Sequence, residues 1–340
     1  MDRNTLKKVL TVLALGVGLF APGGVSAENL EANFDQTLGT ELRSPPTFQR
    51  AGSSELEQRI ASLAASDRGR IGVAAIDLST GEQISVLGDQ RFPLASTSKV
   101  AIAATFLDGV DKGKWTLDDR FPLMQRLPSK KLSGPAPLRA GTVYSARQLI
   151  EMMITRSNNE AADGLLRVVG GPAAVNRWVH ERAGLTDFSL DRYISTLVRD
   201  DGEFDPASHI DTRDSASPLT MAKLVKGLHD GLWLSPSSRG VLLGAMERCK
   251  TGPQRIPGQM PADVLVAHKT GTLYDTSSDV GIVTGPDGHS IALAIYVTGG
   301  QNDHRYRFDR IALIARAIYD GYSDSRQVWL TSDYAKPATR

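Results

Sequence analysis

The chain has 340 residues, enough to bury one sizeable core or two smaller ones. Its 39 basic and 38 acidic residues nearly cancel to a net charge of +1, and no long run of one sign occurs, which argues against a nucleic-acid binder. Aromatic residues make up 6%, too few for base stacking to be a working mechanism.

At the start, Met1 to Lys8 is short and basic, VLTVLALGVGLFA follows as an apolar run, and Val25-Ser26-Ala27 offers small residues for cleavage before Glu28. That order predicts a secretory signal over 1–27 and an exported protein, periplasmic or secreted. The apolar run is too short to be a comfortable membrane span. Residues 28–50 lack sustained periodicity, contain Pro45-Pro46 and read as a tether. A helix is expected from about Ser54 to Ala65, with Leu56, Ile60 and Leu63 at helical spacing. IGVAAIDL, the turn Ser79-Thr80-Gly81 and EQISVLG then predict a hairpin.

From Val100 to about Ala245 the pattern is mostly helical. Ser145 and Gln148 form a capping-box pair ahead of LIEMMI, which places Ser157 to Asn159 near the end of that helix. Gly170-Gly171-Pro172 breaks the chain before another helix, and Ser217-Pro218 starts a later one. Three strand-like runs follow, DVLVAHKTGT, VGIVTG and SIALAIYVTG, the last two joined through Pro286-Asp287-Gly288. A helix over RFDRIALIARAIYDGY closes the body. Cys249 is alone, so no internal disulfide can form, and it reads as a small core residue.

Strands near both ends with helices between them predict an α/β (α+β type) fold: an antiparallel sheet from distant segments, flanked by helices, with an inserted all-helical lobe. The expected body spans 51–325, its α/β lobe formed by 51–105 and 245–325 and its helical lobe by 106–244. A tail follows over 326–340. The crevice between lobes is a natural place for a site.

Three short motifs carry chemistry. In Ser96-Thr97-Ser98-Lys99, a helix starting near Ser96 would set positions 96 and 99 on one face. A serine hydroxyl is a weak nucleophile and needs a base. Lysine serves only if burial or nearby positive charge favours its neutral form, and the apolar stretch VAIAATFL supplies a dry setting. The ordinary alternative is a polar helix start with a solvated lysine. Ser157-Asn158-Asn159 is equally at home at a helix end for local reasons. In Lys269-Thr270-Gly271-Thr272, a charged residue and a glycine inside an apolar strand fit an edge strand facing a ligand, or an ordinary exposed strand end.

In sequence, S-x-x-K, S-x-N and K-T-G resemble the class A β-lactamases and penicillin-binding proteins. The likeness runs over nearly all of residues 55–322, through RFPLASTSKV, MITRSNNEAADGLL and VAHKTGT, with GGPAAV, SLDR, RDSASP and TGPDG matching besides. The resemblance implies that Ser96 is the acylated nucleophile and Lys99 its proton acceptor or relay. Ser157 would return a proton to the leaving nitrogen, and Asn159 would hold the substrate amide and Lys99. Lys269 would bring positive charge to Ser157 and the substrate carboxylate, with Thr270 and Thr272 also available to it across Gly271. The backbone N–H groups of Ser96 and Thr272 would form the oxyanion hole. Asn158 stands where the class A enzymes usually carry Asp.

One departure is sharp. The family's β-lactamases carry a water-activating glutamate two residues beyond the arginine of an L-D-R segment. Here Leu190-Asp191-Arg192 is followed by Tyr193 and Ile194, and isoleucine cannot accept a proton. The loop is also longer than usual, with Arg192 and Asp214 matching the pair that ties its ends. Three explanations stay open: Asp201 or Glu203 reaches the water, Lys99 or no group replaces the base, or slow release suits a peptidase or acceptor. Arg305 or Arg307 would supply the arginine that many members set near the third motif, or would be exposed charges at a helix start. The histidines are scattered, without metal-ligand spacing, so neither metal nor cofactor is expected. The expectation is an exported active-site serine hydrolase acting on a small β-lactam, or on a peptidoglycan-like D-Ala substrate as a peptidase or sensor. Nothing implies a protein partner or an oligomer.

Overall fold

Ile71, Val73 and Ala75 alternate along one strand with Gly72, Ala74 and Ile76, and every one of them is buried. A strand with both faces covered reads as a continuous apolar run, and the computed structural model shows why. It describes residues 54–128, 138–301 and 303–334; the expected signal and tether lie outside them.

Helix α1 (Glu55–Ala64) is opened by a capping box between Ser54 and Glu57. Strands β1 (Ile71–Asp77) and β2 (Gln83–Val86) form the expected hairpin, and β3 (Phe92–Pro93) follows. After α2 (Lys99–Asp111), a short pair β4 (Arg120–Pro122) and β5 (Val143–Ser145) leads into α3 (Ala146–Thr155), α4 (Asn159–Val169) and α5 (Pro172–Arg177). Strand β6 (Phe188–Ser189), α6 (Ile194–Arg199), β7 (Ser215–Ala216), α7 (Pro218–His229) and α8 (Pro236–Glu247) come next. Three long strands, β8 (Leu265–Leu273), β9 (Thr276–Thr284) and β10 (Ser290–Thr298), precede α9 (His304–Tyr334).

The five-stranded sheet has the order β2-β1-β10-β9-β8, so the hairpin near the start pairs antiparallel with the end of the chain through β1 and β10. Period-2 alternation sorts its side chains into two cores. Val73, Ala75, Leu293, Ile295 and Val297 pack with α1 and α9, while Ala74, Ile76, Ala294 and Tyr296 pack with the helices of the middle segment. This is the antiparallel sheet from distant segments, with a helical insertion, that the pattern predicts.

Three features differ from the pattern. The short strands β3, β7 and β6 form a second small sheet, whose β6 and β7 fall inside the region expected to be helical. Strand β9 begins at Thr276, earlier than the apolar run, because the buried Ser277 and Asp279 find polar partners in Arg307 and His268. Helix α9 continues as backbone to Tyr334. Among the described residues no helix is long and apolar enough to cross a membrane.

Candidate active site

The apolar stretch after Lys99 becomes α2, buried from Lys99 through Gly109. It is entered through a 3-10 turn, Ala95–Ser98, held from within: Thr97 Oγ1 donates to Leu94 O at 2.5 Å, and Ser98 Oγ donates to Ala95 O at 2.8 Å. Ala95 stands at φ 47°, a backbone state costing an ordinary residue roughly 1–3 kcal/mol and kept only where the surroundings enforce it. On this turn Ser96 Oγ lies 3.0 Å from Lys99 Nζ.

Lys99 is fully buried, yet its amine faces four acceptors: Ser96 Oγ, Asn159 Oδ1 at 2.6 Å, Ser157 O at 2.7 Å and Ser157 Oγ at 3.2 Å. Burial, and then the charge of Lys269, hold the Lys99 pKa well below the ordinary lysine value, against an opposing pull from Asp163 and Glu160. A neutral amine has two N–H donors and one lone pair. It can therefore keep two of these contacts as donor and accept the Ser96 proton with the lone pair.

Capping chemistry brings the second motif here. The Ser145–Gln148 box starts α3, which ends at Thr155. Asn158 caps α4 by accepting from Ala161 N–H at 2.7 Å, a task its amide oxygen performs as a carboxylate would. Between the two helices Ser157 is pinched at φ 55°, and Asn159 opens α4.

The third motif lies on β8, the edge strand. Lys269, fully buried, donates to Ser157 Oγ at 3.0 Å and to Thr270 O at 2.7 Å. Burial lowers its pKa to about 8, with Cys249 and Asp279 pulling the other way. A Cβ at Gly271 would meet Ser278 Oγ at 2.4 Å and both Ala95 Cβ and Leu94 O at 3.0 Å. Only glycine lets β8 lie against the Ser96 turn. Thr270 Oγ1 is bonded to Thr251 Oγ1 at 2.6 Å.

Behind the strand stands Arg255, which no sequence pattern singled out. It is 4% exposed and donates to Gly271 O and Ser278 O at 2.7 Å each and to Thr272 Oγ1 at 2.5 Å. Burial lowers its pKa to about 10. A lone arginine in a Gly/Pro-bounded segment (TGPQRIPG) has no periodic signal to mark it.

Arg307 is not a substrate-facing charge. It is wholly buried, 2.7 Å from Asp275 Oδ1 and also bonded to Gly299 O and Ser277 Oγ, so it supports the β8–β9 turn. Arg305 is 92% exposed and lies 3.9 Å from Asp309.

The loop from Arg192 to Asp214 is clasped as expected. Arg192 Nε donates to Asp214 Oδ2 at 2.6 Å, and Asp214 Oδ1 accepts from the N–H groups of Asp191 and Arg192. Ile194 is buried in the core, and its N–H and that of Ser195 donate to the two oxygens of Asp163 at 2.7 and 2.9 Å. The two carboxylates considered as replacement bases are engaged elsewhere. Asp201 accepts the Tyr274 N–H on both oxygens, at 3.0 and 2.8 Å, which fastens the loop to the end of β8. Glu203 is exposed and paired with Arg213 at 3.1 Å. No carboxylate hydrogen-bonds Ser96 or Lys99 among the described residues.

Cys249 is half-buried rather than a core residue, its Sγ 3.4 Å from Thr251 Oγ1. Burial pushes its thiol up, but a hydrogen bond and the charge of His268 prevail and bring it to about 7. His268 is itself raised to about 10: burial lowers it, but Asp279, 2.9 Å away, outweighs that.

Ser96, Lys99, Ser157, Asn159 and Lys269 thus form one bonded cluster at the seam between the sheet and the middle helices, with Thr270, Gly271 and Thr272 on the adjoining strand. The model of the beta-lactamase enzyme family matches residues 55–322. This chain belongs to the class A β-lactamase family. It is 30% identical to β-lactamase CTX-M-8 of Citrobacter amalonaticus, over 83% of this chain and 93% of that protein. With a β-lactamase of Proteus vulgaris it shares 29% identity, over 81% of this chain and 98% of the relative. Among solved structures, a β-lactamase from Chitinophaga pinensis superposes with a TM-score of 0.70 at 32% identity, covering 79% of this chain and 100% of the other. An ancestral class A β-lactamase gives 0.68 at 34% identity, covering 78% and 100%. The chain is a serine β-lactamase-like hydrolase.

Proposed function

We propose that β-lactams acylate Ser96 and that the acyl-enzyme is released slowly. The observation that carries the first half is the 3.0 Å contact between Ser96 Oγ and a wholly buried Lys99 amine. Neutral Lys99 takes the hydroxyl proton as Oγ attacks the β-lactam carbonyl carbon, and the N–H groups of Ser96 and Thr272 receive the developing oxyanion. The ring C–N bond then breaks. The proton held by Lys99 passes to Ser157 Oγ, 3.2 Å away, as Ser157 gives its own to the departing nitrogen. Lys269, charged and 3.0 Å from Ser157 Oγ, stabilises the serine during that exchange and attracts the substrate carboxylate. Thr272, fixed by Arg255, offers that carboxylate a second anchor.

Release needs a water stripped of a proton, and general-base assistance contributes about 10²–10⁴-fold. Ile194 cannot supply it, and Asp201 and Glu203 are held away. Lys99, neutral again once its proton has moved on, is the base left in contact with Ser96. Ile194 also favours a second reading within the same chemistry, a D-alanyl-D-alanine peptidase-like protein or a sensor for which β-lactams are long-lived acylating agents. The basic and apolar sequence of residues 1–27 supports export to the compartment where either substrate is met.

Intact-mass measurement after mixing with a penicillin tests the proposal. An adduct of one penicillin that persists over many minutes is expected, and Ser96→Ala should abolish it. Absence of any Ser96-dependent adduct overturns acylation; an adduct that clears within seconds overturns slow release. Release of D-alanine from a D-Ala-D-Ala peptide separates the peptidase from the sensor.

A further inference from the structure

Helices α3 and α8 leave between them a cavity of about 820 Å³, within the range of small-molecule sites. Tyr144, Met152 and Val241 give it an apolar lining. Gly240 of α8 also lines it, and a Cβ built there would meet nothing within 4 Å, so this turn of the helix faces open space. The rim is cationic. Arg147, Arg156 and Lys250 are exposed, and none of them has an ion pair or side-chain hydrogen bond among the described residues. The one acid that lines the cavity, Glu151, is taken by Arg248 through contacts of 3.2 and 2.8 Å. In a chain whose charges otherwise balance, three unanswered cations over an apolar hollow is a local excess.

We propose that this groove binds a small organic anion with an aromatic or alkyl body: the body enters against Tyr144, Met152 and Val241, and the anionic group is held by Arg147, Arg156 and Lys250. Its dimensions suit a small molecule, and its charge selects against cations and neutral bodies of the same shape. The site is distinct from the Ser96 cluster, since none of Ser96, Lys99 and Lys269 lines it. It shares a wall with that cluster, however. Arg156 immediately precedes Ser157, and Lys250 N–H donates to Thr155 O at 2.8 Å. The proposal does not rest on which reaction Ser96 performs.

The test is a fluorescence titration of the full chain with 8-anilinonaphthalene-1-sulfonate, an anion with an aromatic body, beside N-phenyl-1-naphthylamine, which has the same body without the charge. Saturable one-to-one binding of the sulfonate is expected, with the neutral compound weaker by about tenfold or more. Arg147→Gln with Lys250→Gln should weaken sulfonate binding by about tenfold or more while leaving the fold intact, since both side chains are exposed. Gly240→Trp should fill the groove and abolish binding; if that variant fails to fold by circular dichroism, the charge-removal pair decides alone. Lys269→Ala, in the Ser96 cluster, should leave the affinity unchanged. No saturable binding, equal binding of the neutral compound, indifference to the charge-removal pair, or loss of affinity in Lys269→Ala would each overturn the proposal.

Discussion

The Ser96 turn and the Arg192–Asp214 loop are built on opposite plans. At the turn, buried polar groups point at one another: Lys99 bonds Ser96, Ser157 and Asn159, and Lys269 bonds Ser157. In the loop, each acid is answered by a backbone N–H or an arginine, as Asp214, Asp201 and Glu203 are. The first arrangement leaves proton-transfer partners in mutual contact. The second leaves acids fixed as braces. A hydrolase needs both halves to turn over quickly, and only one of them here is organised for proton movement.

The comparison breaks first at Lys99. Lys99→Ala removes the base and should slow Ser96 acylation by about 10²–10⁴-fold, followed as adduct mass against time. A rate unchanged from the parent would mean that another group takes the proton and that the burial of Lys99 is only structural.

Next in size is the clasp. Asp214 is 2% exposed and accepts from Arg192 and two backbone N–H groups, so Asp214→Ala leaves those two N–H donors unanswered, while the part-exposed Arg192 keeps Asp200 at 3.6 Å. Leaving buried donors unsatisfied costs about 1–3 kcal/mol. Chemical denaturation should register most of that loss. If the loop is only a brace, the acylation rate per folded molecule should hold; a collapse of acylation in still-folded protein would show that the two regions are not separable.

Ile194→Glu sharpens the contrast by adding what the loop lacks. A carboxylate there should shorten the adduct lifetime by about 10²-fold, the low end for a general base because it replaces a side chain packed in the apolar core. Burying the new acid in the apolar core will cost stability, so the comparison is made on protein shown to be folded. A lifetime identical to the parent's would mean that release is limited by something other than a missing base.

A smaller effect is the pH dependence. Lys269 titrates at about 8 because burial disfavours its charge. Above that pH it loses the proton that attracts the substrate carboxylate, so the second-order acylation rate should fall by up to about tenfold per pH unit. On the acid side Lys99 must lose its proton to act, so the rate there rises with pH. The two limbs have opposite signs, and the falling one should lie near 8. A rate still climbing steadily through pH 9 would show that the charge of Lys269 does not draw the substrate in.

Much of this was legible in the sequence because the groups carry local signals. Capping by Ser145 and Gln148 fixes where α3 starts and hence where Ser157 falls, and the apolar stretch after Lys99 announces its burial. The five-strand sheet follows from alternation in segments whose partners are far apart, which pattern alone assigns to one sheet but not to an order. What was not legible depends on tertiary direction. Arg255 reaches Thr272 Oγ1 across 17 positions, and Arg307 turns inward to Asp275 across 32, although a helix start suggested solvent. Asp201 reads like any loop acid until the end of β8 is seen beside it, 73 positions on.

The smallest effect is the most discriminating for the loop. Asp201→Asn and Glu203→Gln each remove a carboxylate while keeping its shape. An amide oxygen at position 201 can still accept the Tyr274 N–H, and Glu203 loses only an exposed pair with Arg213, of a kind worth about 0–1 kcal/mol. Neither acid touches Ser96 or Lys99, so the adduct lifetime should stay within about twofold of the parent, against the 10²–10⁴-fold lengthening expected on losing a general base. A lifetime prolonged to that extent in either variant would mean that the loop rearranges once the acyl group is in place. The acids would then be held in reserve for release, and the contrast between the turn and the loop would describe the resting protein alone.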